Sequence, residues 1–223
     1  MAVGKTAAFT AWSNHTRKSF GRSLGLELPA NTEERADVTK FSNNGAYFED
    51  GSYEEFTVVI YATGYDFRFP FLSVDCGVSV DRKHVYPLYK HCININRPSM
   101  FFIGLPFFAV GFPLFDIQVR FALQFLNGKK EHSSRDKMLE ETHQDQKERE
   151  EKGLPKKKMH FLGLERHTEY YQDLASTAEI EGMKPVISKI FNRVIENVFK
   201  NFNTYRLKSY KIIDDENFEE KNI

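Results

Sequence analysis

The chain has 223 residues and carries 31 Lys plus Arg against 31 Asp plus Glu, a formal net charge of zero. A nucleic-acid binder needs a basic excess gathered on one surface, and the strongest basic run, Lys156-Lys157-Lys158, follows Glu148, Glu150 and Glu151, so that function is set aside. An apolar content of 41 % with 21 Phe and 10 Tyr supplies a core for one or two domains and excludes disorder throughout, while two cysteines, Cys76 and Cys92, offer neither a disulfide framework nor a close-spaced metal pair.

In chain order, the first element is a short strand over Ala46 to Glu49, bracketed by the turn residues Asn43-Asn44-Gly45 and Asp50-Gly51 and feeding an antiparallel meander. Phe56 to Ala62, nearly all aromatic or β-branched, predicts a strand covered on both faces in a parallel sheet. Met100 to Gly104 predicts a second buried strand. The apolar window from Met100 to Phe115 is broken by Gly104, Pro106, Gly111 and Pro113 and falls short of the roughly 20 residues a bilayer span needs, so no transmembrane segment is expected. Neither end reads as an anchor, and the sparse cysteines fit a reducing compartment; the expectation is a soluble, cytoplasmic protein. Phe115, Val119, Ala122, Leu123 and Leu126 have helical spacing and stop at Asn127-Gly128.

Charge density then changes. Residues 55 to 128 hold 11 charged side chains in 74 positions, whereas residues 131 to 158 hold 16 in 28, which places a boundary near Gly128 and predicts an exposed, bridging helix from an N-cap at Ser134 to Lys152. Beside Pro185 an amphipathic helix begins, with Val186, Ile187, Ile190, Phe191, Val194, Ile195, Val198, Phe199 and Phe202 at intervals of three to four.

The most informative stretch closes the first predicted strand with Ala62-Thr63-Gly64 before Tyr65. In open parallel sheets ligands gather beyond the carboxyl ends of strands, and three small residues there admit a flat cofactor close to the main chain; a simple turn is the plain alternative. Ala62-Thr63-Gly64-Tyr65 followed by Phe69-Pro70-Phe71-Leu72 resembles the signature of flavin-containing monooxygenases, the insect N-oxygenase branch in particular. The likeness continues through Val85-Tyr86-Pro87-Leu88-Tyr89-Lys90-His91, then Pro98 to Pro106, then Phe112-Pro113 with Gln118. Upstream, Ser13-Asn14-His15 and Leu28-Pro29-Ala30-Asn31 also fit.

The resemblance implies an α/β fold: a partial two-dinucleotide-binding-domain flavoprotein with a parallel sheet, an antiparallel meander and a helical C-terminal extension. It assigns residues 1–40 to a remnant of the NADPH-binding region, 41–128 to the returning FAD-region segment and 129–223 to the charged bridge and C-terminal helices. It implies FAD and NADP as cofactors, molecular oxygen and a small lipophilic amine or sulfide as reactants, and no catalytic side-chain nucleophile, since the flavin carries the hard chemistry. The implied cofactor-binding residues are Ala62, Thr63, Gly64, Tyr65, Gly104 and Gln118. The helix from about Pro113 would aim its N-terminus at the flavin, and Gln118 would face either cofactor or core. Arg17, Lys18 and Arg22 form either a solvated loop or a contact to a 2′-phosphate.

Departures from the family pattern set a second reading beside the first. The chain has neither the Gly-x-Gly-x-x-Gly fingerprint for FAD nor the one for NADPH, and Gly4-Lys5-Thr6 lacks the upstream glycine of a phosphate loop. Thr57 stands where the family has Asp, with Glu54 or Glu55 as possible compensation. The chain then corresponds to the C-terminal half of the enzyme, incomplete or inactive alone, and the alternative is a truncated, non-catalytic relative that acts as a binding or scaffold protein. A missing central strand would leave the edge of Phe56 to Ala62 open to association. His84, His91 and Cys92 match no zinc spacing and read as structural, while the Phe101-Phe102 and Phe107-Phe108 pairs either pack the core or line a substrate channel.

Overall fold

The computed structural model describes residues 8–11, 32–61, 64–202 and 204–223, with side chains from Arg35 onward. The chain divides into two units, Met1–Thr63 with Arg193–Lys211 and Glu219–Ile223, and Gly64–Asn192 with Ile212–Phe218. In the first unit β1 (Ala8–Ala11) pairs in parallel with β2 (Thr32–Arg35). The strands β3 (Val38–Phe41), β4 (Gly45–Phe48) and β5 (Tyr53–Glu55) then form the expected antiparallel meander. On β4, Ala46 and Phe48 are buried and Tyr47 between them is exposed, the alternation that a pleated strand imposes. Gly45 has no substitute, because a Cβ there would sit 2.0 Å from the carbonyl oxygen of Glu54. Glu54 accepts a hydrogen bond from Arg35 Nη2 at 2.6 Å.

The strand expected over Phe56 to Ala62 does not form across its described residues, 56–61. These are not paired in a ladder, and Val58, Ile60 and Tyr61 are 71 %, 84 % and 74 % exposed. β-Branched residues favour an extended backbone, but a strand also needs a neighbour to take its N–H and C=O groups, and composition supplies none. Tyr61 makes an edge contact with Phe41, at 6.2 Å between ring centroids.

In the second unit β6 (Ser79–Asp81) pairs with β7 (His84–Tyr86), and β8 (Leu88–Tyr89) with β9 (Ile93–Asn94). The buried strand expected at Met100 to Gly104 reduces to a single bridge, Phe101 to Ile93, with the Phe102 N–H donating to the Cys92 carbonyl. Four helices follow: α1 (Gly111–Leu126), α2 (Arg135–Glu151), α3 (Gly163–Ala178) and α4 (Pro185–Lys200). Ser134 caps α2 as its position predicts, its hydroxyl accepting from the Lys137 N–H, and Gly153 takes the left-handed backbone just beyond the helix end.

The core of this unit lies where α1 and α3 meet the β8–β9 hairpin. Ile93, Leu114, Ile117, Phe121, Met138, Tyr171 and Leu174 pack there, each at most 2 % exposed. The helix α2 is more than an exposed bridge. Met138 and Arg149 are buried beneath it, and Glu141 accepts from the Tyr89 hydroxyl at 2.8 Å. The opposite face of α1 is apolar and open: Phe112, Phe115, Val119, Leu123 and Leu126 recur at three- to four-residue intervals and are all exposed. On α4, Phe191 packs edge-on against Phe108 and His167.

The chain ends in a hairpin of β10 (Lys208–Ile212) and β11 (Phe218–Asn222). Within the first unit Asn197 donates to Tyr210 Oη at 2.7 Å and Arg193 pairs with Glu220 at 3.7 Å. Among the described residues no helix is long and apolar enough to cross a membrane.

Burial ranks two substitutions of similar chemistry. Leu174→Ala, at a fully buried position, is expected to cost about 2–5 kcal/mol, whereas Ile60→Thr is expected to stay within about 0.5 kcal/mol of the parent. Urea unfolding midpoints of the two variants check this order.

Candidate functional site

The described part of the site is a corner where the loop at Gly104 meets the start of α1. Gly104 has φ of +85°, a left-handed backbone that glycine enters without strain. A Cβ on it would lie 2.8 Å from the ring of Phe115, and the same ring touches the space above Gly111, so one side chain holds the loop against the helix N-terminus. The need for glycine at 104 therefore has a cause inside the chain. Beneath the corner Gln118 is fully buried. Its Oε1 accepts the Gly104 N–H at 2.8 Å and its Nε2 donates to the Tyr170 hydroxyl at 2.8 Å, which in turn donates to the Lys90 carbonyl at 2.8 Å.

At the N-terminus of α1, Val110 offers no side-chain cap, there is no acidic residue in the first turn, and Gly111 and Phe112 are exposed. The leading N–H groups of a helix carry the positive end of its dipole, so negative charge placed at this end would be stabilised. Of the other sequence-predicted residues, Gly64 takes φ of +78° beside Lys83, and Tyr65 is 92 % exposed. Neither enters the contacts that tie Gly104, Gln118 and Phe115 together. Ala62 and Thr63 lie outside the described residues, as do Ser13 to His15, Arg17, Lys18, Arg22 and Leu28 to Asn31.

The remaining candidates fall into the interior. Phe102 packs on Phe69 at 5.3 Å, and Phe107 and Phe108 pack on Phe161. Burial raises the Cys92 thiol to about 12, so it stays protonated. Among the described residues no group of His, Cys, Asp and Glu is arranged to hold a metal.

Sequence reasoning missed a buried polar network formed by β7, the 90–91 turn, α2 and α3. His160 Nε2 accepts the Val85 N–H at 3.1 Å, and the Nδ1 atoms of His160 and His91 are 3.0 Å apart. Arg149, 1 % exposed, donates from Nε to Asp145 at 2.6 Å and from Nη1 to the Phe161 carbonyl at 2.6 Å; Arg166 donates to the other Asp145 oxygen at 2.5 Å. Burial holds His91 and His160 well below the ordinary histidine value, reinforced at His91 by Arg149 and at His160 by His91 itself. The partners are 58 and 69 residues apart in sequence, and no local pattern announces them.

With this geometry established, comparison places it among known proteins. The profile of the family described as flavin-binding monooxygenase-like matches residues 28–205. Senecionine N-oxygenase of Tyria jacobaeae is 32 % identical over 94 % of this chain and 46 % of its own length, and flavin-containing monooxygenase FMO GS-OX-like 8 of Arabidopsis thaliana is 29 % identical over 83 % and 40 %. The solved structure of S-allyl-L-cysteine S-oxygenase from Allium sativum superposes with a TM-score of 0.70 at 27 % identity, covering 81 % of this chain and 42 % of that one. The chain spans about half the length of the curated relatives it matches.

Two outcomes test the site. Gly104→Ala is expected to cost about 1–3 kcal/mol through its left-handed backbone, and Gln118→Leu a similar amount by stranding the Gly104 amide, both read by urea unfolding. Since His91 and His160 have depressed folded values, stability is full above 6.5 and is lost as pH falls below it, because the unfolded chain takes up protons that the folded one refuses. The slope approaches about 1.4 kcal/mol per pH unit for each histidine, and His160→Gln is expected to remove one histidine's share.

Proposed function

Because the chain belongs to the flavin-binding monooxygenase-like family, we propose that it forms the flavin-facing part of an FAD- and NADPH-dependent monooxygenase that oxygenates small lipophilic amines or sulfides. The observation that carries this reading is the N-terminus of α1, uncapped, exposed at Gly111 and Phe112 and free of acidic residues, beside the Gly104 loop that Phe115 holds in place. When bound, FAD would supply hydride acceptance from NADPH and activation of molecular oxygen. The chain's own contribution is positional. Main-chain N–H groups at Gly111 and Phe112 would favour negative charge on a reduced ring, and the main chain of Gly64, Tyr65 and Gly104, with Ala62 and Thr63, would line its approach. Gln118 would act from beneath, fixing the Gly104 amide rather than touching the cofactor.

In this proposal residues 1–40 are the NADPH-side remnant, residues 41–128 the returning FAD-side segment and residues 129–223 the helical extension. Neither glycine fingerprint is present in the chain, so a tight pyrophosphate site requires turns that these residues do not supply. This absence favours the second reading, a non-catalytic relative serving as a binding or scaffold protein. That reading also draws on the exposed Val58 to Tyr61 segment, whose unladdered main-chain groups a strand from a partner could pair with.

The chain isolated from its native source separates the two. The enzyme reading expects the visible bands of oxidised flavin and NADPH consumption stimulated by a small tertiary amine or sulfide; colourless protein with no flavin uptake supports the scaffold reading. Phe112→Asp sharpens the test, because the side chain is 87 % exposed and its replacement removes little packing. A carboxylate in the first turn of α1 is expected to lower the flavin potential by roughly 10–20 mV, as the dipole's pull on the reduced ring is partly neutralised.

A further inference from the structure

Away from the Gly104 corner, a cavity of about 250 Å³ opens between the 84–91 segment, α2 and α3. Hydrogen-bond accounting on its walls comes out unbalanced. The Val85 N–H is an obligate donor, so His160 Nε2 accepts and its proton resides on Nδ1. That proton is donated to His91 Nδ1, 3.0 Å away, which leaves the His91 proton on Nε2. His91 Nε2–H then faces Arg149 Nη2, another donor, at 3.1 Å, with only Asp145 Oδ2 near it at 3.6 Å. Asp145 is already engaged by both guanidinium groups, and Arg166 Nη1 is buried with no hydrogen-bond partner. Protonating His91 adds a further positive charge and leaves the surplus of donors in place.

At the inner wall, around Arg149 and Arg166, charge gives the same answer as hydrogen bonding. Two guanidinium groups share one carboxylate at the inner wall, an excess of one positive charge around the 1 % exposed Arg149. The lining as a whole carries the four carboxylates Glu141, Asp145, Glu169 and Asp173 against the three cations Lys90, Arg149 and Arg166, but only Asp145 pairs with the guanidinium groups: Asp173 and Glu141 are held at Lys90, at 2.7 and 3.8 Å, and Glu169 is exposed. Buried donors without acceptors are costly, and a small molecule with several acceptor oxygens and negative charge would relieve both deficits together.

We propose that this cavity binds a small oxyanion, a carboxylate or a phosphate, on Arg149, Arg166 and His91. The bound anion ties the 84–91 segment to α2 and α3, so occupancy stabilises the second unit. Nothing in the assignment depends on flavin chemistry.

Thermal unfolding of the whole chain near neutral pH tests it, with sodium phosphate and sodium acetate titrated separately against sodium chloride at matched ionic strength. The expected result is a saturable rise in Tm with phosphate, acetate or both; the more effective anion identifies the ligand class. Arg166→Gln is expected to weaken that anion about tenfold or more, and Glu169→Gln, which removes a negative charge from the rim, to strengthen it. No rise beyond chloride, a rise that never saturates, or unchanged affinity in Arg166→Gln overturns the proposal. Should Arg166→Gln fail to fold, Glu169→Gln decides alone, since it breaks no hydrogen bond and an unaltered affinity there counts against the site.

Discussion

The second unit depends on one buried amide. Gln118 sits on the inward face of α1 without access to water, and both ends of its side chain are used: the oxygen by the Gly104 N–H, the nitrogen by Tyr170 on α3. Tyr170 passes the relay to the Lys90 carbonyl, so four segments far apart in sequence are registered by three consecutive hydrogen bonds. Each bond contributes only about 1 kcal/mol, but the cost of breaking one is larger, because the stranded partner remains buried. Burial also raises the Tyr170 hydroxyl well above its ordinary value, which keeps it protonated as the relay requires.

This arrangement explains how a loop of unusual backbone keeps a fixed position. Gly104 is in a region of conformational space that few residues enter, and a loop of that kind wanders unless its neighbours over-determine it. Phe115 presses from one side and Gln118 grips the amide from the other. The corner is thus preorganised from within the chain. Its chemistry is that of main-chain dipoles, in keeping with a family whose reactive groups belong to a cofactor.

Much of the helical part was legible in the sequence because helix signals are local. The spacing Phe115, Val119, Leu123, Leu126 with Asn127-Gly128, the Ser134 cap and the run after Pro185 each mark a helix that the structure contains. The helix α3 was legible as well and went unread: His167, Tyr170, Tyr171, Leu174 and Ala178 repeat at helical intervals and are buried. Strands fared differently, since pairing is a property of two segments. Val58, Val59 and Ile60 have strand composition, yet no described strand pairs with them. The Gly104 corner was visible as a motif, but its cause, the ring of Phe115, was not. The polar network around Arg149 and His160 was hidden altogether, because in sequence Arg149 belongs to a solvated charge run and only the fold turns it inward.

The two thiols differ in a way that experiment can exploit. Cys92 is buried within the turn of the β8–β9 hairpin with its proton held to about 12, while Cys76 is only partly covered. Thiolate is the nucleophile in alkylation, so the sealed sulfur is inert while the fold persists. A maleimide dye or nitroxide added to the unaltered polypeptide should therefore attach at one place, giving a spectroscopic reporter beside the 73–79 turn without any engineered cysteine.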